Sequence, residues 1–218
     1  MRFDVVSIFP DMFEPVFRQG VVGRALRSGL LQLQAHDLRE WTVDRHRQVD
    51  DEPFGGGAGM VMKPEPLFAA VEALRPLNSG PVILMEPWGE PLSQDLAAEL
   101  AAEPGLIVLC GRYEGIDDRV REGVADREVS IGGYVLSGGE IPAMVLIDAV
   151  ARLVPGVVGD QASLGQDAYA GVAGGYPQYT RPAEFRGLRV PEVLLSGDHA
   201  AIERWRRTHA RSRERTKP

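Results

Sequence analysis

Three short apolar runs constrain the fold of this chain more than any other feature: VVSIF at 5–9, PVILM at 81–85 and LIVLC at 106–110. Each is rich in β-branched residues and too short for an independent helix, so each reads as a strand buried on both faces. The segments between them carry helical periodicity. PEPLFAAVEALRPL at 64–77 opens on prolines that suit a first turn, and SQDLAAELAAEPG at 93–105 starts with a serine cap and ends in Pro-Gly. Strands alternating with helices build βαβ units, so the expected class is α/β with a mostly parallel sheet. Ligand sites in such sheets lie at the carboxyl ends of the strands.

EIPAMVLIDAVARLV at 140–154 is a different kind of helix, because its apolar residues cover nearly every face. A helix apolar all round has to be buried all round. A central place within one subunit would do this, and so would a second copy; in a chain of 218 residues the expectation is a homodimer. After Pro155 and Gly156 the texture changes. GDQASLGQDAYAGVAGGYPQYTRP at 159–182 is rich in glycine, alanine and small polar residues and opens on a flexible linker. PEVLLSGDHAAIERWRRTHARSRER at 191–215 reads as a short helix, a Ser-Gly turn and a basic helix capped by Asp198. The expected divisions are therefore 1–158, a linker over 159–176, and a small helical part over 177–218.

The net charge of −7 argues against nucleic acid until its distribution is counted. Residues 181–218 hold ten Arg and Lys against five Asp and Glu, which leaves 14 against 26 in residues 1–180, so +5 faces −12. Such asymmetry points to a polyanion-facing C-terminal part; a solvated basic helix has the same count. The single cysteine, Cys110, permits no internal disulfide and no cysteine-based zinc cluster, and the four histidines are far apart in sequence. No apolar run has the length of a membrane span, and MRFDVVSIFPDMF lacks the order of a signal peptide. The expected location is the cytoplasm.

Three loops hold more chemistry than packing requires. FGGGAGM at 54–60 has four glycines in five positions, bare backbone that can approach a ligand closely. CGRYEGIDDRV at 110–120 follows a buried strand at its carboxyl end and gathers Arg112, Tyr113, Glu114, Asp117, Asp118 and Arg119. SIGGYVLSGGE at 130–140 sets two glycine pairs around a short apolar run. Neither glycine loop carries a phosphate signature: the first lacks a Lys-Ser/Thr pair, and the second has no G-x-G-x-x-G register, no cation, and Glu140 where a phosphate would meet like charge.

These stretches, with IFPDMF (8–13), DRHRQVDDEPFGGGAGM (44–60), PGVVG (155–159), YTRP (179–182) and VPEVLLSGDHAAIERWRR (190–207), occur in the order found in one family. The chain resembles the bacterial tRNA (guanine-37-N1)-methyltransferases, the TrmD family of the SPOUT class. The resemblance implies a SPOUT-type parallel sheet threaded into a deep trefoil knot, with a small helical C-terminal domain. It implies S-adenosylmethionine as methyl donor, a homodimer with composite active sites, and tRNA with guanosine at position 37 as substrate. By position, the donor site would comprise Leu84, Met85, Glu86 and Pro87, then Gly111, Tyr113, Glu114 and Gly115, then Ser130, Ile131, Gly132, Tyr134, Leu136, Gly138 and Gly139. Asp167 would be the general base and Arg152 the residue that steadies charge on the guanine. Asp148, four residues before Arg152, is an alternative partner for it. The RNA-facing residues would be Arg45, His46, Gly57, Gly59 and Lys63, with Arg181, Arg204, Arg206 and Arg207. A base carried by the linker implies that Asp167 is in place only when RNA is bound. Family members depend on Mg2+; no compact metal-ligand set stands out here, and Glu114 is the first acid to test. The chain departs from the family pattern at Glu86, Trp88, Gly133, Gln178 and Ala58. Another RNA target within the class, or RNA binding without catalysis, are the alternatives, and intact Arg152, Asp167 and glycine loops argue against the latter.

Overall fold

The protein was analysed as a computed structural model, which describes residues 1–159 and 175–210. The chain divides into two compact units, Met1–Gly159 and Asp160–Pro218.

The first unit is built on a five-stranded sheet, every strand parallel to its neighbours, in the order β2-β1-β6-β5-β7. Its strands are β1 (Arg2–Ser7), β2 (Gln32–Asp37), β5 (Val82–Pro91), β6 (Gly105–Cys110) and β7 (Arg127–Ser130), while β3 (Asp50–Asp51) and β4 (Val61–Met62) form a small antiparallel pair. The three apolar runs are the three inner strands, as burial on both faces requires. The first strand ends at Ser7 rather than Phe9, because Pro10 opens a short 3-10 turn over Pro10–Met12. The two edge strands, QLQAHD and REVS, are too polar to be read from apolar runs, since an edge strand is only partly covered.

Side chains alternate across the sheet and separate two cores. On one face, Val5, Ile83, Met85, Leu106, Val108, Cys110 and Val129 pack against α1 (Phe13–Phe17), α2 (Gly20–Arg27), α4 (Gln94–Ala101) and α6 (Glu140–Ala151). On the other, Val6, Val82, Leu84, Ile107 and Leu109 pack against α3 (Pro64–Leu74) and α5 (Asp118–Gly123). The Ser93 hydroxyl caps α4 by accepting from the Leu96 N–H at 3.1 Å. Helix α6 buries Ala143, Leu146, Ile147, Val150 and Ala151, but Ile141 and Val145 stay exposed on its other side.

In the second unit a hairpin, β8 (Glu184–Phe185) with β9 (Leu188–Arg189), precedes two helices, α7 (Glu192–Leu195) and α8 (His199–His209). The helix, turn and capped helix follow the sequence expectation: Gly197 has φ +74°, and the Asp198 carboxylate accepts from the N–H groups of Ala200 and Ala201 at 3.0 Å. Beside these helices the unit carries a hairpin that the sequence reading did not place. Its turn is made by Arg186 (φ 53°) and Gly187 (φ 80°), the left-handed pair that a tight hairpin needs, and two-residue strands flanking it carry no readable alternation.

Candidate active site

The carboxyl ends of β5, β6 and β7 converge on one cavity of about 260 Å³. Three stretches of chain make its walls. The first comes from a departure in β5. Met85 and Glu90 both pair with Val129 of β7, so residues 86–89 leave the ladder and loop outward. This excursion puts Glu86, Pro87 and Trp88 on the cavity rim. The second wall is the loop after β6, in which Tyr113 holds a left-handed backbone at φ +62°, uncommon for a residue with a side chain. Burial, and then the neighbouring Asp50 carboxylate, push the Tyr113 phenol up.

The third wall is the segment after β7, which returns across the end of β6. Gly139 donates to the Gly111 carbonyl at 2.8 Å, and a Cβ on Gly139 would lie 2.8 Å from the Cys110 Cα. Only glycine permits that approach. The passage is locked by a buried acid. Glu140, fully buried at the start of α6, accepts from the Ser7 hydroxyl at 2.7 Å and from Arg112 Nε at 2.8 Å. Arg112 also donates to the Ser137 carbonyl at 3.0 Å, and its guanidinium lies 4.6 Å from the centre of the Phe9 ring. Sequence reasoning placed Arg112 in a dense loop and Glu140 at a helix start, without joining them. The signal was Glu140 itself, the one charged residue of SIGGYVLSGGE, an acid at the start of an apolar helix that needs a basic partner once buried.

Fourteen of the fifteen residues expected at the donor site line this single cavity. The exception is Leu84, whose side chain points to the opposite face and packs in the core beneath α3 and α5. Strand alternation decides this: Met85 faces the cavity side, so Leu84 cannot. The cavity also takes in Trp88, Arg112, Val129, Val135, Ser137 and Pro142.

The glycine loop belongs to the same neighbourhood. Glu114 donates its backbone N–H to the Met60 carbonyl at 3.0 Å, and a Cβ on Gly59 would collide with the Glu114 side chain. Gly57 and Gly59 have φ +133° and +85°. Lys63 is half-buried just after β4, while Arg45 and His46 are exposed in a turn organised by Asp44, whose carboxylate accepts from the His46 N–H at 2.8 Å. Arg152 is exposed at the far end of α6. Ten residues separate it from Pro142 on the cavity wall, roughly 15 Å along a helix. Asp167, and the expectation that RNA puts it in place, lie outside the described residues. In the second unit Arg181, Arg204 and Arg207 are exposed, and Arg206 lies over the Tyr176 ring at 5.0 Å. Among the described residues no group of three or more His, Cys, Asp or Glu is placed to hold a metal ion, and no helix is long and apolar enough to cross a membrane.

The fold defines a parallel α/β protein with a cavity at the carboxyl ends of neighbouring strands, walled by glycine-rich loops in which Arg112 is the one cation among the described lining residues. The model of the family described as tRNA (Guanine-1)-methyltransferase TrmD matches residues 1–218, and the chain belongs to that family. A tRNA (guanine-N(1)-)-methyltransferase of Synechococcus sp. (strain JA-2-3B'a(2-13)) is 54% identical over 206 residues, 94% of this chain and 82% of the relative. One of Moorella thermoacetica is 54% identical over 216 residues, 98% of this chain and 86% of the relative. Among solved structures, that of the tRNA (m1G37) methyltransferase from Aquifex aeolicus superposes with a TM-score of 0.79 at 43% identity, covering 94% of this chain and 87% of that one.

Proposed function

We propose that this protein transfers a methyl group from S-adenosylmethionine to N1 of guanosine 37 in tRNA. The observation that carries the reading is the cavity, where residues from three separate stretches expected at the donor site converge in a chain of this family. The residues present fit the donor. Adenine and ribose are held by close backbone and directed N–H and C=O groups, which glycine-rich walls supply. The donor supplies an electrophilic methyl on a sulfonium.

The chain's own residues do the rest. Neutral guanine carries a proton on N1, and Asp167 accepts it as the methyl arrives. Arg152 steadies the negative charge that develops on the base. Because Arg152 is far down α6 from its own cavity, it serves the cavity of a second copy, and the exposed Ile141 and Val145 on the same helix give that copy an apolar face to cover. The active sites are thus composite and the protein is a homodimer. The return of residues 132–139 across β6 supports the trefoil knot. The division of labour is a donor-binding part over 1–158, a linker over 159–176 that carries the base, and a tRNA-binding part over 177–218 with Arg181, Arg204, Arg206 and Arg207. Arg45, His46, Gly57, Gly59 and Lys63 face the anticodon region from the first unit. Glu114, which lines the cavity, is the first acid to test for Mg2+. The work is done in the cytoplasm.

The test is methyl transfer to an unmodified tRNA transcript, mapped by mass spectrometry. The expected product is 1-methylguanosine at position 37, absent when position 37 is adenosine. Asp167→Ala should abolish turnover while donor binding persists. Methylation at another site overturns the substrate, and full activity in Asp167→Ala overturns the base.

A further inference from the structure

The cavity has an electrostatic bias that its backbone walls do not require. Arg112 is the one cation among its described lining residues, and its charge is already engaged by Glu140 at 2.8 Å. Two acids line the cavity, Glu86 and Glu114. Glu86 is half-buried on the 86–89 excursion, and among the described residues its carboxylate has no ion-pair or hydrogen-bond partner. Burial, and then the nearby Glu128 carboxylate, push the Glu86 carboxyl up. A half-buried acid without a counter-charge is costly by itself, and a cation arriving in the cavity would relieve both effects.

We propose that Glu86 makes the cavity select for positive charge, so that it holds the cationic methyl donor more tightly than the neutral-sulfur product left after transfer. The inference rests on the reading of the cavity as the methyl-donor site. Donor and product share adenine, ribose and the amino-acid end; they differ by one methyl and one unit of charge, at sulfur. Backbone walls that read the shared parts hold both equally. Only a charge near the sulfur separates them; neither rim acid has an ion-pair partner among the described residues, and Glu86 is the half-buried one, whereas Glu114 is exposed to the solvent that screens its charge. The consequence is release: loss of the charge at transfer removes the attraction, and spent product leaves while fresh donor enters.

The size of the effect follows from distance. A rounded cavity of about 260 Å³ is only about 8 Å across, which keeps a ligand charge within about that distance of its wall. Unit charges about 8 Å apart, at an effective dielectric of roughly 20 to 40, give a preference of roughly fivefold to thirtyfold.

Titration calorimetry on the full-length protein with S-adenosylmethionine and with S-adenosylhomocysteine tests this. Glu86→Gln should weaken donor binding at least about fivefold and leave product binding within about twofold, by the same Coulomb estimate. Glu86→Asp, which keeps the charge, should retain most of the preference. Glu72→Gln, an exposed acid on α3, changes the net charge by the same unit and should leave both affinities unchanged. Equal weakening of both ligands by Glu86→Gln, no change in either, or the same shift from Glu72→Gln overturns the proposal. Failure of the unaltered protein to bind either ligand overturns the donor-site reading instead. Unchanged thermal unfolding of Glu86→Gln separates these outcomes from misfolding.

Discussion

Removing Arg112 should damage the protein more than removing Arg112 and the Glu140 charge together. Glu140 is fully buried, and its two oxygens are committed to Ser7 and to Arg112. In Arg112→Ala the carboxylate keeps only the Ser7 hydroxyl, and breaking a buried pair in this way costs about 3–5 kcal/mol. For a chain of this size each kcal/mol lowers the melting temperature by about 2–4 °C, so the drop should be about 6–20 °C. Glu140→Gln alone keeps an acceptor for Arg112 Nε, and its amide can donate to Ser7 Oγ, which already accepts from the Phe9 N–H at 2.8 Å. Its cost should be about 1–2 kcal/mol, that of weakened hydrogen bonds. In the double variant no charge is stranded, so it should be more stable than Arg112→Ala by about 1–2 kcal/mol. Urea unfolding, with hydrogen exchange of the β6 peptide as a probe of the first unit, measures all three. A double variant less stable than Arg112→Ala by the full cost of Glu140→Gln would show two independent contributions and refute the stranded-charge argument.

A second buried acid sets the response to pH. Burial tends to raise the Asp4 carboxyl, but hydrogen bonds from His36 at 2.8 Å, Arg2 at 2.6 Å and Asn78 at 2.9 Å, with the Arg2 charge, outweigh it and hold Asp4 far below the usual carboxylate range. A depressed pKa contributes stability above the unfolded value of about 4 and loses it as pH falls below that; the urea midpoint should therefore decline below pH 4, and Asp4→Asn should lower the midpoint at pH 7 while flattening the decline. Gly139→Ala should force the returning segment away from Cys110 and Gly111 and weaken nucleoside binding in the cavity at least tenfold, read by calorimetry; donor affinity equal to the unaltered protein would mean that the close approach does not shape the cavity. Adenosine should bind better than adenosine monophosphate, because the cavity offers acids and an already engaged arginine to the phosphate; tighter binding of the monophosphate would refute the charge assignment.

What was legible in the sequence divides along physical lines. Local signals carried through: the buried runs became inner strands, Ser93 and Asp198 became caps, and the loops after β6 and β7 gave cavity walls because their glycines and polar residues were out of proportion to packing. The edge strands were not legible, since partial burial leaves a mixed pattern. Nor was Leu84 separable from Met85 by likeness of position alone; the alternation of the strand assigns them to opposite cores.

The pairing of Ser7, Arg112 and Glu140 is the least legible feature and the one that gives the cavity its character. Ser7 and Glu140 are 133 residues apart, and nothing in either local pattern announces the other. Only the return of the chain across β6 brings them together, and the return is possible because Gly139 has no side chain. Once formed, the pair withdraws from ligand binding the one cation among the cavity's described lining residues and leaves the acids of the rim unopposed. Glu140 thus acts twice: in the sequence it sets like charge where a phosphate would meet the helix start, and in the fold it takes Arg112 out of use.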